Sequence, residues 1–141
     1  MTKQILAALQ EGFEGPHDGS SYFLDSDGGL RGTLAKVSAE EASRAVGGTS
    51  IAAHAHHIRF SLAASAASIA GDSSPRDWNE SWTVRNVDET EWDRLRRELD
   101  AEYDKLRATI AAHGDSALGA GVGVVAHLAY HVGAIRQKLA V

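Results

Sequence analysis

The chain of 141 residues contains no cysteine, and this absence excludes several kinds of structure and chemistry. A disulfide framework, a thiolate metal ligand and a cysteine nucleophile are all impossible. The remaining composition, with 43% hydrophobic and 23% charged residues, is that of an ordinary globular protein. A chain of this length builds one hydrophobic core, so we predict a single domain over residues 1–141.

Clustered basic charge and long apolar runs are also missing. The net charge with neutral histidines is −5, whereas a nucleic-acid binder normally carries a basic face or stripe. No run approaches the 18 or so apolar residues of a membrane span. Residues 1–15 lack the apolar stretch and cleavage site of a signal peptide. We therefore predict no nucleic-acid partner, no membrane association and a cytoplasmic location.

Strand patterns and two common catalytic motifs are absent as well. No segment alternates apolar and polar residues over the length of a half-buried strand. The glycine-rich residues 119–123 follow no predicted strand and lack the lysine of a phosphate-binding loop. No serine stands in the context of a nucleophile elbow. The sequence predicts an all-α protein.

Hydrophobic residues at helical spacing predict four main helices. The clearest series shows spacings of three and four residues: Trp92, Leu95, Leu99, Tyr103, Leu106 and Ile110. The predicted helices cover residues 3–13, the segment from a cap at Thr49 or Ser50 to about Gly71, the segment from Asp88 to Gly114, and the segment from Asp115 or Ser116 to about Lys138. Glu91 completes a capping box with Asp88 at the start of the third.

Short helical pieces are predicted in the first connection. Residues 15–29 are rich in glycine, serine and aspartate and predict an irregular loop. Residues 30–37 suggest one or two helical turns. Ser38 and Glu41 fit the capping box of a short helix that ends near Gly47. The whole pattern predicts a four-helix bundle with short extra helices in its first connection.

Seven histidines occur in the chain, and two of them are four residues apart on the last predicted helix. His127 and His131 project from one face about 40° apart and roughly one turn along the axis. At this spacing two imidazoles can share a metal ion. Ala120, Gly123 and Ala134 share the face. Such small residues either leave room for an ion and a ligand or let two helices approach closely.

The second long helix offers three more histidines, and a stable metal site needs a ligand from another element. His56 lies on the far side from the apolar stripe of this helix, so we expect it to be solvated. His54 lies about 60° and His57 about 120° from the centre of that stripe. Periodicity favours His54 slightly, but a site at the edge of the stripe can use either residue.

Two segments carry a resemblance to a known family. In TSIAAHAHHIRFSL, His57 follows the capping residue Ser50 by seven positions and precedes an aliphatic residue. In HLAYHVGAI, the pair His127 and His131 is followed by Gly133 and then by an aliphatic residue. Together these segments resemble the DinB/YfiT-like family of metalloenzymes, and the resemblance extends over the whole chain in helix order.

The resemblance implies a metal site made of His57, His127 and His131, with His54 as the alternative ligand or as a neighbour of the ligands. The chain departs from the family at Ala134, where glutamine is frequent, and in the long loop after the first helix. Neither departure touches a ligand, and both concern the substrate side.

Three histidine ligands leave a coordination position for water or substrate, as in catalytic metal sites. Imidazole ligation suits a divalent ion, zinc or nickel first, with iron and copper as further candidates. The resemblance implies a metal-dependent enzyme acting on a small molecule, because relatives include bacterial transferases and isomerases that use low-molecular-weight thiols. Hydrolysis is a second enzymatic version. One alternative is a non-enzymatic, stress-related bundle that binds metal or a small ligand and forms a homodimer through an exposed helix face. Another is a scaffold with ordinary histidines.

Five other side chains could serve a substrate site. Arg59 and Arg136 could bind a substrate carboxylate or lie on solvated helix faces. Trp78 and Trp82 could roof a ligand site or cover the end of the core. Glu80 lies between them and could act as a general base if its loop folds over the metal.

Overall fold

The structure is a computed structural model that describes residues 1–17, 19–25 and 28–140, and its regular elements in those ranges are helical. In chain order they are α1 (Thr2–Glu14), α2 (Gly29–Ala35), α3 (Ala39–Ser43), α4 (Ile51–Ile69), the 3-10 helix η1 (Trp78–Trp82), α5 (Glu89–His113), the 3-10 helix η2 (Gly114–Ala117) and α6 (Leu118–Leu139). The all-α prediction is confirmed. The predicted loop at residues 15–29 includes Asp18, Ser26 and Asp27, which lie outside the described residues.

The four longest helices contact one another in a ring. Helix α4 packs against α5 and α6, and α1 packs against the same two helices from the other side. Each helix buries one apolar face in the common core. The largest fully buried side chains include Phe13, Ile58, Trp92, Tyr103, Leu128 and Ile135. Because α4 and α6 are neighbours, the histidine-bearing segments of the two helices face each other.

Both predicted capping boxes are confirmed. Ser38 accepts a hydrogen bond from the backbone N–H of Glu41, and the Glu41 carboxylate accepts one from the backbone N–H of Ser38. Asp88 and Glu91 form the same reciprocal pair at the start of α5. Each box satisfies two backbone donors that a helix start leaves free.

Ser50, rather than Thr49, caps α4. Its hydroxyl oxygen accepts a hydrogen bond from the backbone N–H of Ala53 at 3.1 Å. The same hydroxyl donates to the carbonyl oxygen of Arg85 at 2.7 Å. The cap therefore also ties the start of α4 to the segment that precedes α5.

The predicted end of the short third helix is wrong. Helix α3 ends at Ser43, not near Gly47, because Arg44 adopts extended backbone with φ −69° and ψ 125°. Val46 and Thr49 then pair in an isolated bridge. The chain turns between them at Gly47 and Gly48, which both have positive φ.

The predicted start of the last helix is wrong as well. Helix α6 begins at Leu118, and neither Asp115 nor Ser116 caps it. The Ser116 hydroxyl donates to the carbonyl oxygen of His113 at 2.9 Å. This bond stabilises the intervening 3-10 turn, so the polar residues that resemble a cap belong to η2.

One helical stretch corrects the prediction that no segment is long and apolar enough to span a membrane. The stretch Glu89–Leu139 contains an 18-residue window of mean hydropathy 1.5, of which 33% is buried. Residues 117–135 carry no charged side chain, but glycine, alanine and histidine interrupt their larger apolar residues. This stretch is a candidate membrane span by length and composition only. Core helices of proteins in water meet the same two criteria.

A buried carboxylate in α1 holds the following loop against the core. Glu11 is only 3% exposed and accepts hydrogen bonds from the backbone N–H groups of Tyr22, Phe23 and Leu24 at 2.5–2.6 Å. Burial raises the pKa of Glu11, but these three hydrogen bonds outweigh it, so the pKa lies below its ordinary value. The ionised carboxylate of Glu11 therefore stabilises the contact between α1 and residues 22–24.

We expect Glu11→Gln to lower the free energy of unfolding by about 2–3 kcal/mol at pH 7, because the amide cannot accept all three charge-assisted bonds. A depressed folded-state pKa means that this stability is present above the ordinary pKa of 4.5 and is lost as the pH falls through the folded-state pKa. Urea unfolding at pH 7 and at pH 3 measures both effects. The exposed Asp104→Asn is the control, and equal losses in the two variants would contradict the role of Glu11.

Candidate metal centre

Three histidines from two helices bring their ring nitrogens together. His57 on α4 and His127 and His131 on α6 each place one ring nitrogen within 4.8 Å of the others. The Nε2 atom of His127 lies 2.9 Å from Nε2 of His57 and 3.1 Å from Nε2 of His131. Nitrogens that share a tetrahedral zinc ion lie about 3.3 Å apart, given Zn–N bonds of roughly 2.0–2.1 Å. The three imidazoles are close enough to hold one metal ion.

The hydrogen bond of His57 to Ser81 defines which of its nitrogens is free. The Ser81 hydroxyl donates its one hydrogen to the carbonyl oxygen of Trp78 at 2.6 Å. Its oxygen lies 2.7 Å from Nδ1 of His57 and must therefore accept a hydrogen from that nitrogen. A neutral imidazole with its hydrogen on Nδ1 keeps a lone pair on Nε2. That lone pair points into the group of three nitrogens.

His54 is the hydrogen-bond partner of His131. Their Nδ1 atoms are 2.8 Å apart, so one nitrogen donates and the other accepts. When His131 donates from Nδ1, its Nε2 carries the lone pair and faces His127. His54 thus contacts Nδ1 of His131, the nitrogen that faces away from the other two histidines. This hydrogen bond fixes the orientation of the His131 ring.

The histidines are held neutral by burial. Burial lowers the pKa of His57 to about 4 and that of His131 to about 3, and the neighbouring imidazoles add repulsion. Burial, together with the charge of Lys138, lowers the pKa of His54 to about 4. Burial also lowers the pKa of His127. Neutral imidazoles have the free lone pairs that metal binding requires.

The two tryptophans of η1 lie over the histidines. The Trp82 ring stacks on the His57 ring with centroids 4.1 Å apart and planes 14° apart. Trp78 is 47% exposed, and its ring centroid is 6.2 Å from that of His57. The sequence left open whether these tryptophans roof a ligand site or cover the end of the core. The structure places both beside the histidine group, and Trp82 covers one face of the His57 ring.

A cleft of about 570 Å³ lies beside His127, between α4 and α6. This volume is in the range of small-molecule sites. Serines and small residues form most of its walls: Ser61, Ala64, Ser65, Ser68, Ala120 and Gly123. Of the three small residues that the sequence placed on the histidine face of the last helix, Ala120 and Gly123 line the cleft and Ala134 does not. Small side chains on both helices leave the space that the cleft occupies.

His56 corrects one expectation, because it is half-buried rather than solvated. Its Nε2 donates to the carbonyl oxygen of Glu80 at 3.1 Å, and its Nδ1 accepts from the guanidinium of Arg59 at 3.3 Å. Nε of Arg59 also lies 3.5 Å from the Glu98 carboxylate. His56 joins η1 to α4, and Arg59 is engaged in these contacts rather than at the histidine group.

Two other predicted residues lie away from the histidines. Glu80 has an exposed side chain, and it does not belong to the three-nitrogen group. Arg136 lines a separate cleft with Lys36 and Glu41. Sequence reasoning missed Ser81, whose only signal was its position between two tryptophans in the connection before α5.

The fold and the histidine group together define an all-helical protein with a possible three-histidine metal site. Comparison of the chain with family models, curated proteins and solved structures gives no match.

We expect Ser81→Ala to lower the affinity for zinc about 10–100-fold, the usual effect of removing a group that orients a metal-bound histidine. The substitution leaves the His57 Nδ1–H without its acceptor and frees the ring. Competition with a chromophoric chelator measures the affinity, and circular dichroism checks the fold. Ser73→Ala, an exposed serine in the same connection, is the control. Unchanged affinity in the Ser81 variant would rule out this role.

We also expect the metal-free protein to become less stable as the pH falls from 7 to 5. The buried histidines have folded-state pKa values near 3–4, below the ordinary 6.5. The unfolded chain therefore binds more protons in this window, and the free energy of unfolding rises with pH. Urea unfolding in a chelator at the two pH values tests this. Exposed His113→Gln should keep the full pH dependence, whereas a flat or inverted dependence of the wild type would refute the prediction.

Proposed function

We propose that this chain is a divalent-metal-dependent enzyme of the DinB/YfiT-like type, with His57, His127 and His131 as the metal ligands. The observation that carries the proposal is the convergence of one ring nitrogen from each of three imidazoles on one point. The hydrogen bond to Ser81 leaves the His57 lone pair directed at this point, and the His131 lone pair has the same direction when His131 donates to His54. A histidine cluster used only for packing has no need of such partners, and burying it costs stability.

The helix arrangement supports the same type of fold. The ring of contacts among α1, α4, α5 and α6 is the packing expected of a four-helix bundle. Helices α2 and α3 then correspond to the short extra helices in the first connection. Sites in such bundles are built from side chains on facing helices, as the histidines of α4 and α6 are here.

The residues present fit a divalent ion with affinity for imidazole, zinc or nickel first and iron next. Three protein ligands leave a position for a small molecule. A bound ion would supply Lewis-acid activation, lowering the pKa of a thiol or a water at that position. The cleft beside His127 favours an enzyme over a metal store, because it gives a small substrate access to the same histidine.

The chain's own residues would shape the reaction site. Trp82 covers one face of His57 and excludes water from it. The serines of α4 offer hydroxyl groups to a polar substrate along the cleft. Because the chain has no cysteine, a thiol for transfer or isomerisation must come from a co-substrate. The thiol itself is proposed on the family resemblance, whereas the metal and the cleft are supported by the geometry.

Metal content tests the proposal. Protein purified without a histidine tag should contain close to one equivalent of zinc, nickel or iron by elemental mass spectrometry. His127→Ala should lose this metal, and exposed His113→Ala should retain it. Wild-type protein that takes up no metal after incubation with zinc, nickel and iron(II) would overturn the proposal.

Activity separates the two enzymatic versions. The metal-loaded protein should consume a low-molecular-weight thiol together with an electrophile, and His127→Ala should reduce the rate at least about a hundredfold. Turnover of an ester or amide without thiol would instead indicate hydrolysis. Metal-loaded protein inactive in both assays would favour the non-enzymatic metal-binding alternative.

A further inference from the structure

A second cleft is lined by His56 and Arg59 of α4 and by none of the three histidines of the candidate metal centre. Its volume is about 560 Å³, and it is bounded by α4, α5 and the segment 83–87 that joins η1 to α5. Three arginines line it, at Arg59, Arg85 and Arg94. Two glutamates, Glu91 and Glu98, line it as well, so arginines outnumber carboxylates here in a chain whose net charge is −5.

The acidic side chains of this cleft are already engaged. The Glu98 carboxylate lies 3.5 Å from the guanidinium of Arg59. The Glu91 carboxylate accepts a hydrogen bond from the backbone N–H of Asp88 at 2.9 Å, as part of the capping box. Neither carboxylate is therefore fully available to neutralise a further cation.

Two arginines remain without an acidic partner among the described residues. Arg85 and Arg94 are both exposed, and neither takes part in an ion pair with a described residue. The other three arginines of α5 differ in this respect, since Arg96 and Arg97 are paired with Asp93 and Arg107 with Glu14. Two guanidinium groups without an ion pair to a described residue therefore lie in the same cleft.

The segment that carries Arg85 is held in place. The carbonyl oxygen of Arg85 accepts the hydrogen bond from Ser50 at 2.7 Å. The backbone N–H of Val87 donates to the hydroxyl oxygen of Ser43 at 2.9 Å. A backbone segment that is fixed before binding loses less entropy when a ligand binds. Val84, Val87 and Leu95 add an apolar wall.

We infer that this cleft binds a small organic oxyanion, a carboxylate or a phosphate monoester, through Arg85 and Arg94. Guanidinium groups bind both kinds of oxyanion with two parallel hydrogen bonds. The apolar wall accommodates the uncharged body of the ligand. The site is separate from the metal centre, so the inference does not depend on the proposed function.

The test uses ¹⁵N-labelled His127→Ala protein, because phosphate could otherwise bind a metal ion at the histidines. Phenyl phosphate and benzoate are the two probes, and each is titrated while backbone amide shifts are followed. We expect saturable shifts at residues 83–95 with at least one probe. The probe with the higher affinity identifies the kind of oxyanion that the cleft prefers. No saturable shift there with either probe would overturn the inference.

Matched double variants test the arginines. Arg85→Ala/Arg94→Ala should weaken binding at least about tenfold, because each charge-assisted hydrogen bond contributes strongly. Lys3→Ala/Lys105→Ala also removes two exposed positive charges, from α1 and α5, and should change the affinity less than about twofold. Equal weakening in both double variants would show a general charge effect and would refute the site. All four substitutions are at exposed positions, and circular dichroism checks that the variants fold.

Discussion

The hydroxyl group of Ser81 has one hydrogen, and the use of this hydrogen determines what His57 can do. Because the hydroxyl donates to the Trp78 carbonyl, it can only accept from His57, which fixes the hydrogen of that ring on Nδ1. The lone pair on Nε2 then faces the histidines of α6. Ser81 is fully buried, so water does not compete for this arrangement. The nitrogen that His57 offers to the site is thus determined by one serine in a connecting segment.

Burial that keeps the imidazoles neutral also makes the histidine group a source of instability. Placing four rings against one another away from water forgoes their hydration, and lowering the pH increases the loss. An ion that binds only the folded chain would offset this cost by mass action. The site is thus coupled to the stability of α4 and α6. The η1 segment is part of the same unit, because Ser81 and Trp82 contact the group and the carbonyl of Glu80 binds His56.

Local patterns predicted the helices well, and the candidate site only in part. The capping box at Asp88 and the apolar series of α5 depend on residues close in sequence, and both are confirmed. The pair on α6 could be predicted from its spacing of four residues. Periodicity slightly favoured His54 over His57, whereas the three-nitrogen group contains His57, because the connection η1 supplies contacts that the periodicity of α4 does not show. Ser81 and Glu11 act through contacts with residues distant in sequence, and no local pattern predicts those contacts. A polar run before α6 misled the prediction because Ser116 serves a 3-10 turn.

The account depends most on the claim that three imidazoles bind one ion through Nε2. X-ray absorption at the metal edge of zinc-loaded protein tests this directly. We expect three imidazole nitrogens at about 2.0–2.1 Å with one further light atom, together with the outer-shell scattering of the imidazole rings. A first shell of light atoms without imidazole scattering would contradict the account, because zinc would then be bound at a site other than the histidines of α4 and α6.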